Sequence, residues 1–242
     1  MLFGCTLTGV WELLTSATGS IPEWMLPAPS SIVVHVIDNA DLFLVHTRTT
    51  CIEFLIGYAT ALVLGVLWGV VLSQFRIVRE ASYPYVIILG ALPAAAFAPI
   101  ANIWFGYGLV SKAIVAAAIA IFPVVTSTVT GIQTIPREAV EAAMLDGAGG
   151  FVLVSKILLP LALPSIMIGM RIAWAGAIIG AITSEIFGAV RGLGYAIQFG
   201  LRMSRVLDIF AATGILSILS VTGYLILRTL EKRFSVTMWV SK

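Results

Sequence analysis

Few residues of this 242-residue chain are of a kind that could do chemistry, and their spacing argues against most reactions. The two histidines, His35 and His46, are too far apart and too poorly supported by other ligands to hold a metal. They read as exposed polar side chains. Cys5 and Cys51 lie in or beside apolar segments without CxxC or Cys/His spacing, and read as ordinary small apolar residues. No Ser/His/Asp, Cys/His or paired-carboxylate constellation occurs, so the chain itself is not expected to be an enzyme. A phosphate loop of the form GxxxxGK followed by Ser or Thr is missing too. Gly147-Ala148-Gly149-Gly150 precedes Lys156 at the wrong spacing and follows no strand, so it reads as a hinge. No catalytic residue, cofactor or metal is expected.

What remains is charge in apolar surroundings and one polar interruption. Charge inside a membrane is costly and often functional, which singles out Arg171 and Glu185 as candidates for a transport path or its gate. The plainer alternatives are a snorkelling or structurally paired Arg171 and an interfacial Glu185. Glu53 reads as interfacial. The interruption falls at 141–160. Glu141, Ala142, Ala143, Gly147, Ile157, Leu159 and Pro160 fit the pattern EAA-x3-G-x9-I-x-L-P at every fixed position, with Asp146 just before the glycine.

The elements that must position these residues follow from composition. The chain is 60% hydrophobic and 11% charged, with a mean hydropathy of +1.05, whereas a soluble domain carries about 25% charged residues. Lipid must be the solvent for much of it. A net charge of +2, with no basic run interleaved with aromatics, argues against nucleic acid. A spanning helix needs roughly 20 mainly apolar residues. Residues 52–73, 83–104, 110–132, 161–188 and 207–228 qualify, the second of these interrupted by Pro84, Pro93 and Pro99. Residues 2–17 are apolar but short. Their lack of a positive start, together with Glu12, argues against a removable signal peptide. The expectation is one all-α membrane domain over 1–242, a polytopic bundle of about six spans.

Leu26-Pro27-Ala28-Pro29-Ser30 reads as a turn, with Ser30 or Ser31 available to cap the helix after it. Residues 31–47 mix apolar and polar side chains as an amphipathic helix at the membrane surface would. Gly65-x3-Gly69 and Gly176-x3-Gly180 read as close-packing seams within the bundle. Phe97, Asn102, Trp104 and Tyr107 read as interfacial. In the 134–160 loop, Thr134 is a plausible cap and Pro136 suits a first helical turn. Glu138 and Glu141 sit toward the positive end of the helix dipole. Gly147 stops this helix, and a second helix over 151–159 leads into the next span. The Lys/Arg bias is modest and puts the loop, Arg76, Arg79, and the tail with Arg228, Lys232, Arg233 and Lys242 on the cytoplasmic side. Both termini are then cytoplasmic, although the 189–206 connection is basic for an outer loop.

The 141–160 pattern resembles the cytoplasmic loop by which permease subunits of bacterial ABC importers grip their ATPase. Other segments are similar to the nitrate/sulfonate/taurine family of such permeases. They are 26–30, Ile103-Trp104-Phe105-Gly106-Tyr107-Gly108 with Ser111-Lys112, Pro160 through Arg171, Ser184-Glu185, and Gly192-Leu193-Gly194-Tyr195. Gly149 and Gly150 depart from the polar or basic residues that relatives often carry there. The resemblance implies an inner-membrane permease with a coupling helix, working as a homodimer with the path between subunits. It also implies separate ATPase subunits that bind ATP and Mg, and a periplasmic or lipid-anchored binding protein. Glu141, Ala142, Ala143, Asp146, Gly147, Ile157, Leu159 and Pro160 would couple to the ATPase. The cargo implied is a small anion such as a sulfonate, taurine or nitrate, or alternatively a pyrimidine-type vitamin precursor. The rivals are an ion-coupled secondary transporter, which would need coupling carboxylates and often an internal repeat, and a membrane scaffold that only recruits a soluble partner.

Overall fold

The structure, a computed structural model, describes residues 2–17 and 22–240; Lys242 and the side chains of Cys5 and Arg233 lie outside the described residues. Every regular element among them is helical. The chain runs α1 (Leu2–Glu12), α2 (Pro29–Asp38), α3 (Ala40–Gln74), α4 (Arg76–Ala91), α5 (Ala94–Phe105) and α6 (Leu109–Gln133). It continues with α7 (Arg137–Leu145), α8 (Gly150–Leu153), α9 (Leu159–Ile186), α10 (Leu193–Arg202) and α11 (Val206–Val240). Wide π turns at Leu13–Ala17 and Val154–Leu158 extend α1 and join α8 to α9.

Among the described residues, four helices are long and apolar enough to cross a membrane: α3, α6, the continuous Gly150–Ile186 helix, and α11. The expected span over 83–104 is instead two helices, α4 and α5, bent by 101°. Counted as one broken crossing, the pair makes five spans. Three prolines were visible there, but only one breaks the chain. Pro93 holds itself and Leu92 extended (ψ 115° and 118°), because a proline ring disfavours helix at the residue before it. Pro84 and Pro99 stay inside helices.

In lipid an outward apolar side chain costs nothing, so the inner face of a span is marked by small size rather than by hydrophobicity. Gly57, Gly65 and Gly69 of α3 lie against Ala116, Val124 and Thr128 of α6. Both series rise together, so α3 and α6 are parallel. Gly131 of α6 meets Ser165, Gly169 of α9 meets Ser127, and Gly180 of α9 meets Ala116. There one series rises as the other falls, so α9 is antiparallel to α6. Gly176 is looser, 3.4 Å from Ile119 for an added Cβ. The two expected glycine seams therefore pack within the subunit. Gly223 against Trp174, and Glu231 against Arg171, set α11 antiparallel to α9. These registers place the end of α3, the 134–160 loop and the end of α11 at one end of the bundle, the loop end.

Two local expectations fail. Residues 31–47 do not form one helix, because Asn39 (φ −114°) separates α2 from α3, and 40–47 are the first turns of a span. Neither Ser30 nor Ser31 caps α2. Ala28 takes the cap position, and the Glu12 carboxylate accepts from the Ser30 amide (3.1 Å) and hydroxyl (2.6 Å). An outside carboxylate thus satisfies an otherwise orphaned first-turn N–H.

Candidate functional site

The loop is a rigid bracket. Pro136 precedes α7 and its carbonyl accepts the first bond, from Ala139 (3.2 Å); Thr134 turns away to Gly131 O (3.0 Å) and caps nothing. At the other end Gly147 takes φ +87°. The Gly147 amide reaches Met144 O (3.0 Å) and the Ala148 amide reaches Ala143 O (2.9 Å). That paired closure with a left-handed residue is a Schellman motif, and glycine enters it without a Cβ penalty. Two residues later the chain re-enters a helix, with Gly150 at φ +50°. The expected separate helix over 151–159 is continuous through the π turn with α9, so any push on it acts directly on a span.

The motif positions divide into two groups. Ala143, Ile157 and Leu159 face inward, packed on the cluster of Ile132, Leu153, Leu158, Ala162 and Ile166 that roots the loop in α6 and α9. Glu141, Ala142, Asp146, Gly147 and Pro160 are exposed. Sequence reasoning did not single out their neighbours Leu145, 89% exposed, and Phe151, 83% exposed. They flank the Gly147 turn and, with Met144, give the loop tip an apolar surface beside Glu138 and Glu141. Large apolar residues inside the one polar loop were the available signal. Leu159 and Pro160 also line an apolar groove of about 620 Å³ between α3 and α9.

Arg171 is not free within its span. Its guanidinium lies 3.2 Å from the Glu231 carboxylate of α11 and 5.6 Å from the centroid of the Tyr224 ring. Glu185, at the other end of α9, is fully buried and makes contacts within the subunit. It accepts from Thr50 Oγ1 (2.6 Å) and from the Gly194 amide (2.6 Å), while Thr50 Oγ1 accepts from the Leu193 amide (2.8 Å). One carboxylate and one hydroxyl thus satisfy the first turn of α10, where an anion is favoured.

The same end of the bundle corrects four other expectations. His46 is buried rather than exposed, its Nδ1 accepting from the Gly192 amide at 3.0 Å. His35 is bonded to Asp208 of α11 at 2.7 Å. Glu53 is buried rather than interfacial, 3.3 Å from Lys112, which is buried too. Asn102 is buried as well, whereas Trp104 and Tyr107 are exposed. None of these pairings spans a short sequence interval, so no spacing rule would have found them.

Comparison with known proteins agrees with the bundle. Residues 61–236 match the family model described as binding-protein-dependent transport system inner membrane component. The chain is 35% identical over 234 residues to the formylaminopyrimidine transport permease of Halalkalibacterium halodurans, covering 95% of this chain and 92% of that one. It is 26% identical to a putative aliphatic sulfonates transport permease of Bacillus subtilis, covering 96% and 85% respectively. Among solved structures, the methionine ABC transporter in inward-facing conformations matches with a TM-score of 0.73 at 19% identity, over 81% of this chain and 98% of that one. The chain therefore belongs to the binding-protein-dependent transport inner-membrane components, the permeases of ABC importers.

Proposed function

We propose that this chain forms the translocation path of an ATP-driven importer for a small solute and couples to a separate ATPase through α7. The supporting observation is the exposed tip at Glu141, Leu145 and Phe151, anchored by Ala143 and Ile157 to a helix continuous with a span. Coupling of distant sites requires a two-state element that both bias, and α7 with the span it joins is the element assigned that role. In this reading the loop end, and with it the end of α11, faces the cytoplasm; α3 starts at the opposite face, so a cytoplasmic amino terminus requires α1 with its π turn to make a further crossing. Two copies of the chain enclose the path. A periplasmic or lipid-anchored binding protein delivers the cargo at the opposite end. The ATPase subunits hold ATP and Mg.

The cargo reading has two branches. A sulfonate, taurine or nitrate is favoured by the family resemblance, and an arginine in a span would suit an anion, but Arg171 is already paired with Glu231. A pyrimidine-type vitamin precursor is supported by the 35% identity to a formylaminopyrimidine permease. Reconstitution with the ATPase and binding protein tests the whole reading. Uptake should require ATP and be competed by one of these two solute classes. Uptake without ATP that collapses with an ionophore would instead identify an ion-coupled transporter.

A further inference from the structure

At the end opposite the loop, α3, α10 and the start of α11 enclose a cavity of about 540 Å³, within the roughly 300–1,000 Å³ of small-ligand sites. Its polar wall is cationic. Arg205 bonds Asp208 through Nε (2.9 Å), and Asp208 also takes His35 (2.7 Å), so the single carboxylate lining the cavity is already shared. Arg191 lines the same space and makes no ion pair or side-chain hydrogen bond among the described residues. Stacked Tyr195 and Phe199 (centroids 5.9 Å apart) form the adjoining wall, with Arg205 over the Phe199 ring.

The cavity opens onto apolar surface. Leu42 and Val45 line its mouth, and Ile52 and Ile56 continue the same face of α3 away from it, all four exposed. Cations and aromatic rings at the end of the spans, above an apolar helix face, match the layout of a phospholipid at an interface. We propose that this cavity binds the headgroup of an anionic phospholipid, with its phosphate oxygens held by Arg191 and the remaining N–H groups of Arg205. The acyl chains lie along the α3 stripe. The shared chemistry is a phosphate oxyanion; the apolar stripe favours the lipid over free phosphate.

The test uses the full chain in a neutral detergent, titrated with short-chain phosphatidylglycerol, short-chain phosphatidylcholine or inorganic phosphate. Unfolding midpoint and native mass spectrometry are the two readouts. Phosphatidylglycerol should bind and raise the midpoint while phosphatidylcholine does not. Arg191→Gln should weaken that binding about fivefold, the effect of losing one near-surface cation. Arg191 is exposed and makes no ion pair among the described residues, so this variant should fold, and the comparison of headgroups on the unaltered chain does not depend on it. Equal binding of both lipids, full stabilisation by inorganic phosphate alone, or unchanged affinity in Arg191→Gln would overturn the proposal.

Discussion

Thr50 and Glu185 lie 135 positions apart and share a 2.6 Å hydrogen bond at the end of the bundle opposite the 134–160 loop. Thr50 simultaneously accepts from the Leu193 amide, so one hydroxyl ties α3, α9 and α10 together. Thr50→Val keeps the shape and removes both bonds, leaving a buried amide and a buried carboxylate oxygen short of partners. The expected cost is about 1–3 kcal/mol. It should appear as a lower unfolding midpoint and faster amide exchange at 193–194. Exchange there that stays at the unaltered rate would show that Thr50 does not hold α10.

The loop tip can be separated from its root. Leu145→Asp and Phe151→Asp alter only exposed positions, so stability should change by less than about 0.5 kcal/mol. Co-purification with the ATPase should fall sharply. Ala143→Asp puts a charge into the cluster of Ile132 and Leu158, and should lower the unfolding midpoint before any partner is added. If Leu145→Asp and Phe151→Asp leave ATPase binding intact, the contact lies elsewhere.

Gly147 joins those two halves. Its φ of +87° is a conformation that costs an L residue roughly 1–2 kcal/mol. Gly147→Ala should therefore loosen the return from α7 to α9. We expect solute uptake to fall while ATP hydrolysis by the assembled transporter persists, a loss of coupling. Equal loss of both activities would indicate failed assembly instead.

How much of this was legible beforehand depends on the range of the interactions. The loop could be read because its parts are local: a proline before α7, a glycine in the left-handed turn, and apolar spacing into α9. The spans were legible from composition alone. The proline-rich stretch was legible as irregular, but choosing Pro93 over Pro84 and Pro99 as the break depends on how α4 and α5 pack along α6, through Val86 and Ala101. The polar cluster was not legible. Glu53 with Lys112, His46 with the Gly192 amide, and Thr50 with Glu185 meet only because α3 and α6 are parallel and α9 returns antiparallel against them. A single charged residue in a span carries no mark of its partner.

Arg171 and Glu231 offer a direct test of whether the arginine serves the cargo or the fold. Arg171→Ala leaves Glu231 without its cation and should reduce both stability and uptake. The exchanged pair, Arg171→Glu with Glu231→Arg, should recover most of the folding stability. If uptake returns with it, the arginine is structural. If stability returns and uptake does not, Arg171 acts on the solute, and the affinity for anionic cargo should change in the same variant.

Ala116 of α6 is clasped from both sides, by Gly57 of α3 and Gly180 of α9. A methyl added at Gly57 would sit 2.5 Å from the Ala116 Cβ and 2.6 Å from Ala113 O. One added at Gly180 would meet backbone only, 2.7 Å from the Ala116 Cα and 2.8 Å from Val115 O. Overpacking of this kind costs about 1–3 kcal/mol for each substitution. The two sites should respond differently to a compensating change. Ala116→Gly removes the methyl that blocks Gly57→Ala and should recover part of that loss. It removes nothing that blocks Gly180→Ala, so that loss should stand or grow, since glycine weakens α6 itself by about 1 kcal/mol. Unfolding midpoints of the three single and two double variants measure both couplings. Equal recovery at the two sites would mean that α6 shifts as a body, and that the clasp around Ala116 does not fix its position.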